Sequence, residues 1–351
     1  MAERDISLIV TKLKEEGNTV WSYSRLTTFH NCKYSYKLAY VDGIRGKDNI
    51  YSVLGSLAHD ILEEAYNTKK FDKDKAKITS TTGVNKAIDS GMRFSADENM
   101  HSNIYKNYIT SMNHYFDNFK LEDFKSKQEG LLIKHLFGKN YIQGYYDQIR
   151  NYNGVFEVID FKTSTKFKTA DRKEKARQLL LYADIINNQG ANKIGRVAWA
   201  MLKYCVISYT QKNGKVKETI TARHEIIKTM EKMLTKDLAD LDIDMLEANM
   251  LIRQAYLDNS LDCMPQEIKD KYTIKDWYDY YEYTQDDIDE VYKFIEETIL
   301  AISVEKEWTP NTSSSYFCNS LCGHKDICPA IQLLNEKYKE QTLPSDLDDL
   351  L

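Results

Sequence analysis

Gly144 to Ile149 (GYYDQI) and Glu157 to Thr163 (EVIDFKT), on either side of a short turn at Asn151 to Gly154, decide the fold. Tyr141 to Ile149 and Val155 to Lys162 read as two strands joined in an antiparallel hairpin. Side chains two apart on a strand leave the same face, so Asp160 and Lys162 point together, and the hairpin brings Asp147 beside Asp160. Charges set among Val158, Ile159 and Phe161 are costly unless they are paired or hold a metal. Two converging carboxylates repel, a divalent cation removes that repulsion, and hard oxygen ligands suit Mg²⁺ or Mn²⁺. Such an ion would bridge a phosphodiester oxygen and acidify a water for in-line attack. Lys162 would orient that water or stabilise charge building on the phosphate. Taken alone, Asp160-x-Lys162 is more often an edge strand whose charges face water.

Outward from the hairpin, helix and strand signals alternate. Towards the N-terminus, Ser24 is a candidate cap for a helix with Leu26, Phe29, Lys33 and Tyr36 on one face, and a second helix starts near Gly55 carrying His59 and Glu63. Towards the C-terminus come a helix from Arg172 to Gln189, a strand from Arg196 to Tyr209, and a tight turn at Asn213-Gly214 into Val216 to Thr221. An acidic stretch read as helical runs to about Lys306. Its last helix opens on Thr284 and Asp287 and aligns Ile288, Val291, Ile295 and Ile299. The tyrosine-rich segment Trp277 to Thr284 suits packing better than base stacking.

With 351 residues, 42% apolar and 29% charged, the chain is globular and large enough for about two average domains. No apolar run approaches the ~18 residues of a membrane helix, and the start lacks a secretory h-region, so no membrane association and a cytoplasmic location are expected. In that compartment six cysteines read as metal ligands rather than disulfides. The net charge of −5 hides an asymmetry: Asp237 to Thr298 carries −13, leaving +8 on the remainder, which hints at a polyanionic partner. Seven Lys/Arg lie between Lys162 and Arg177. No G-x4-G-K-[ST] stretch is present, so an ATP motor would be a separate polypeptide.

The order Gly55-x3-His59, Gly144-x2-Asp147-x-Ile149, Asp160-Phe161-Lys162 and Gln178-x3-Tyr182 resembles the PD-(D/E)XK nuclease superfamily, in particular its RecB/AddB-type branch with the CRISPR-associated nucleases. The opening Ser22 to Tyr40 resembles the same branch. The resemblance implies an α/β restriction-endonuclease-like core, a mixed central sheet flanked by helices, with helical insertions and a C-terminal Cys-rich clasp. His59, Asp147, Asp160 and the Phe161 carbonyl would bind the metal, Lys162 would be the catalytic lysine, and Gln178 and Tyr182 would face DNA and the active site. Glu63, one turn beyond His59, would fix the imidazole tautomer.

Cys318, Cys322 and Cys328, with Gly323 and Pro329 nearby, suggest a metal centre whose fourth ligand is His324 or Cys32. Spacing alone does not choose between zinc and iron. The resemblance implies a 4Fe–4S cluster on Cys32, Cys318, Cys322 and Cys328, with Zn²⁺ as the fallback, since this chain has one residue more between the second and third cysteines than the family's usual spacing. Cys205 and Cys263 read as ordinary thiols.

The implied organisation is N-terminal helices (1–60), a helical insertion (61–130), the nuclease core (131–221), an acidic helical region (222–306), the clasp (307–335) and a tail (336–351). The tail's Leu343, Leu347, Leu350 and Leu351 among three Asp suggest either a frayed end or a peptide for a replication or recombination protein. The expected activity is Mg²⁺- or Mn²⁺-dependent hydrolysis of DNA, by an exonuclease on single-stranded or resected ends in recombination, repair or phage DNA processing. The alternatives are a structure-specific endonuclease and a catalytically silent DNA-binding subunit.

Overall fold

The computed structural model describes residues 3–121, 127–190, 193–211 and 213–332; the leucine-rich tail lies outside them. The chain opens with α1 (Glu3–Glu15), β1 (Thr19–Ser22), α2 (Tyr23–Asn31) and α3 (Lys33–Tyr36), followed by α4 (Ile50–Thr68), α5 (Lys73–Asp89) and α6 (Glu98–Asn118). Strands β2 (Lys127–His135), β3 (Asn140–Tyr152) and β4 (Val155–Lys162) come next, then α7 (Arg172–Asn188), β5 (Ile194–Thr210) and β6 (Val216–Ala222). Helices α8 (Ile226–Asp240), α9 (Met245–Asp258) and α10 (Gln266–Lys271) lead to β7 (Tyr272–Tyr281) and α11 (Gln285–Val304). No helix among the described residues is long and apolar enough to cross a membrane.

The described residues form two compact units, one of Val53–Gly130 and Tyr146–Tyr283, the other of the segments up to Ser52, Leu131–Tyr145 and from Thr284 on. In the first unit the hairpin forms as the sequence predicts. Asn153 and Gly154 both take positive φ (51° and 85°), the two-residue turn whose twist matches paired strands, and Asn151 Oδ1 accepts the Gly154 N–H at 2.9 Å. The register sets Arg150 opposite Glu157 and Gln148 opposite Ile159. Helix α7 then carries the chain across to β5, which runs parallel to β4, while β6 and β7 pair antiparallel with β5. The sheet is therefore mixed and flanked by helices.

Val158, Ile159, Val197, Ala198 and Trp199 are buried, and α7 covers β4 and β5 with a buried face that includes Leu179, Leu180 and Ala183. A further core joins Met230, Leu234 and Leu238 of α8 to Ile252 and Ala255 of α9 and to Tyr272. Within this apolar setting Glu157 is fully buried. Its carboxylate takes a 2.7 Å hydrogen bond from Arg150 Nε and a second, charge-paired bond from Arg196. Three strands are thereby tied by one carboxylate.

In the other unit β1 runs parallel to β3, from Thr19 opposite Asn140 to Ser22 opposite Gln143, and Trp21 Nε1 donates to Asn140 Oδ1. Helix α11 begins with the expected capping box between Thr284 and Asp287. It buries Ile288, Val291, Ile295 and Ile299 and packs against α2.

Three local expectations are corrected. The cap of α2 is Ser22, not Ser24, because Ser22 leaves β1 in an extended conformation and its Oγ accepts the Arg25 N–H at 3.1 Å. Helix α4 starts at Ile50 rather than near Gly55, since Asn49 Oδ1 accepts the N–H groups of Tyr51 and Ser52. The stretch read as helical throughout contains β7. Its aromatic residues suit a half-buried strand, and its acids find cationic partners, Asp276 with Arg223 and Asp279 with Arg172.

Removing one partner of a buried charge cluster leaves the others unpaired. Glu157→Ala is expected to lower the unfolding free energy by about 3 kcal/mol, read as a shift in the urea midpoint. A change within the error of the melt would show that the cluster contributes nothing.

Candidate active site

Strand alternation sends Asp160 and Lys162 out of the face of β4 opposite to Glu157 and Ile159. Lys162 Nζ lies 2.6 Å from Asp160 Oδ2, and Asp147 Oδ2 accepts the Phe161 N–H at 2.7 Å. His59, on α4, completes the group: its Nε2–H donates to the Phe161 carbonyl at 3.0 Å and its Nδ1 lies 3.5 Å from Asp147 Oδ1. Five of the predicted residues, His59, Asp147, Asp160, Phe161 and Lys162, are thus neighbours, drawn from α4 and the hairpin.

Their electrostatics follow from crowding in a partly dry site. Burial, and next the Asp160 charge, raise Asp147 from 3.8 to about 6, against the opposing pull of His59, the Phe161 N–H and Lys162. With Nε2–H committed to the carbonyl, the imidazole turns Nδ1 towards Asp147 Oδ1. Burial works against the Lys162 ammonium, yet Asp160 and Asp147 outweigh it and raise its pKa.

Gln178 and Tyr182 stand one turn apart on α7, with Gln178 Nε2 donating to Tyr182 Oη at 2.8 Å. Glu63 does not hold the imidazole as expected; it accepts from Asn67, while the Phe161 carbonyl sets the tautomer of His59. Sequence reading passes over Arg172, whose guanidinium reaches Asp279 Oδ1 at 2.8 Å and ties the start of α7 to β7. Its basic type is visible in the Lys162–Arg177 run, but its partner lies 107 residues away.

The expected metal centres are not supported. Among the described residues, no group of three or more His, Cys, Asp or Glu side chains could hold a metal ion. Around the hairpin, Asp160 pairs with an ammonium, Asp147 Oδ2 accepts a peptide N–H and His59 donates through Nε2–H to a carbonyl.

The same finding overturns the 4Fe–4S cluster and its Zn²⁺ fallback, and with them the Cys-rich clasp. All six cysteines are free thiols. Cys32 Sγ accepts the N–H groups of Ser35 and Asn311, Cys318 Sγ donates to the Asn311 carbonyl, and Cys318 and Cys328 pack with Ile331. Burial, and then the nearby thiols of Cys322, Cys32 and Cys328, push the Cys318 thiol up. His324 is no ligand either, because Nε2–H donates to the Ile44 carbonyl and Nδ1 meets Ser35 Oγ.

The profile of the PD-(D/E)XK nuclease superfamily matches residues 20–329. That match is to the superfamily as a whole and, together with the absent metal cluster, corrects the narrower expectation of an iron–sulfur RecB/AddB-type member. No curated protein matches the chain. Among solved structures, that of SSO0001 aligns at 13% identity over 94% of this chain and 97% of its own, with a TM-score of 0.31, too low to bear on fold or function.

Because Asp147 is raised, the folded chain holds more protons than the unfolded one between the ordinary carboxylate range and about 6. Its contribution to stability therefore falls as pH rises through that window and is least favourable above it. Asp147→Asn is expected to stabilise the chain by about 2 kcal/mol at pH ~7.5 and hardly at pH ~4, measured by urea unfolding at both. Equal effects at the two pH values would refute the raised carboxyl.

Proposed function

The chain belongs to the PD-(D/E)XK nuclease superfamily, and from that premise we propose that it is a DNA nuclease, an exonuclease on single-stranded or resected ends serving recombination, repair or phage DNA processing. The observation that carries this reading is the meeting of Asp147, Asp160 and Lys162 at one end of the hairpin, with His59 against them. We assign them the reacting phosphodiester. The Lys162 ammonium, a donor with no acceptor, offsets the charge that grows on the phosphoryl oxygens as water attacks. Asp160 pairs with that ammonium and fixes its direction.

Asp147, with a pKa of about 6, is the general base. It is ionised at neutral pH, still basic enough to take the proton of the attacking water as the new P–O bond forms, and steered by the Phe161 N–H. The P–O bond to the departing sugar oxygen breaks, and that oxygen takes up a proton from solvent. We give Gln178 and Tyr182 a substrate-positioning role on α7. The Lys/Arg run from Lys162 to Arg177 would neutralise phosphates of the strand, so that binding weakens steeply with salt. No step is routed through a metal ion, since among the described residues no group of three or more His, Cys, Asp or Glu side chains could hold one.

The test uses end-labelled linear DNA beside closed circles, with wild type, Asp160→Ala and Lys162→Ala. Each reaction is run with added divalent cation and with chelator, which separates hydrolysis by side chains from hydrolysis that an added ion supports. Linear DNA should shorten from its ends, circles should persist, and each substitution should slow the reaction by about 100-fold or more. Cut circles would favour a structure-specific endonuclease. Binding without hydrolysis by wild type would favour a silent DNA-binding subunit, and equal hydrolysis by all three proteins would remove the assignment.

A further inference from the structure

On the sheet face opposite the carboxylates lies a cavity of about 540 Å³ that the hydrolytic reading leaves unused. Arg150 and Arg196 line it from the strands, and the exposed Lys120 and Lys275 line it as well. The two guanidiniums share the single Glu157 carboxylate, so this layer keeps a surplus positive charge. Arg196 Nε is moreover buried with no hydrogen-bond partner, a donor that an anionic acceptor would satisfy.

Aromatic rings form the other half of the lining. The Arg150 guanidinium lies 4.0 Å from the centre of the Tyr278 ring and 5.3 Å from that of Tyr152, and Arg196 lies 4.8 Å from Tyr280. These stacks fix the ring planes before any ligand arrives, which lowers the ordering cost of binding. Trp277 adds an indole from β7, braced edge-on by Tyr204. Fixed rings beside cations are what a strand with unstacked bases requires, since every base offers a π-face and every link a phosphate. A duplex keeps its base faces inside the stack and has no use for the rings.

We propose that this cavity holds a nucleotide of single-stranded DNA, with the base against Tyr152 or Trp277 and the phosphates on Arg196, Lys120 and Lys275. The choice of DNA rests on the nuclease reading; the recognition of a base and a phosphate together does not. The site would grip the strand on the sheet face away from the hydrolytic group.

Binding of a labelled oligothymidylate is followed by fluorescence anisotropy, in chelator, for wild type, Trp277→Ala, Tyr152→Ala, Tyr152→Phe and the double variant Lys120→Glu/Lys275→Glu. Far-ultraviolet circular dichroism checks that each is folded. Each loss of a ring should weaken binding about 10-fold, while Tyr152→Phe should bind like wild type. The double variant should flatten the salt dependence by about 0.7 in log–log slope for each phosphate that is no longer neutralised.

Equal affinity in every folded variant, or no binding by wild type, would overturn the proposal. A duplex probe bound as tightly as the single strand, without weakening in the ring variants, would do the same. Thymidine monophosphate binding with the same ring dependence, and no increase in affinity on going to the oligonucleotide, would assign the cavity to a free nucleotide and overturn the strand proposal. Because the readout is binding, a wild-type chain that fails to hydrolyse DNA leaves this result standing, and the two readings fail separately.

Discussion

Glu157 sits with no exposed surface between Arg150 on β3 and Arg196 on β5. A lone carboxylate there would be driven to take up a proton or to unfold the strand. With two guanidiniums on its oxygens, and the Tyr280 hydroxyl receiving from Arg150 at 2.8 Å, it becomes the point through which three neighbouring strands hold register. Register matters here because a slip of one residue would exchange the two faces of β4.

Those faces carry different chemistry. Asp160 and Lys162 leave one, where Asp147 and His59 meet them; Glu157 leaves the other, under tyrosine rings. Val158 and Ile159, fully buried, set the strand between apolar layers and limit the water that reaches the charges. The raised carboxyl of Asp147 follows from that limited solvation, and the ammonium of Lys162 is held by the same acids whose repulsion it relieves. Ion pairing within the protein therefore relieves at the hairpin the repulsion between its two carboxylates.

The cysteines illustrate the same substitution of roles. Cys32 lies far in sequence from Cys318 and Cys328, and the fold does bring the thiols near one another. Yet Cys32 serves as the side-chain cap of α3 and as an acceptor for Asn311, and Cys318 and Cys328 pack as small apolar groups. Spacing in a sequence states which thiols are able to converge, but the hydrogen-bond and packing partners that the fold sets beside them are chosen elsewhere in the chain.

Local pattern was enough for the hairpin, for the crossover helix α7 and for the capping box of α11, since Asn153-Gly154, the run Ala176 to Ile186 and the pair Thr284/Asp287 act over a few residues. The pairing of Asp147 with Asp160 was legible for the same reason, being set by one turn. What the sequence could not reveal depends on partners brought from afar: β7, read as helix until its acids find Arg172 and Arg223; the link from His59 to Phe161 across 102 residues; and the bridge from Glu157 to Arg196. Charges and thiols take their state from whatever the folded chain sets beside them, and that neighbour is chosen by tertiary packing rather than by the residues next in line.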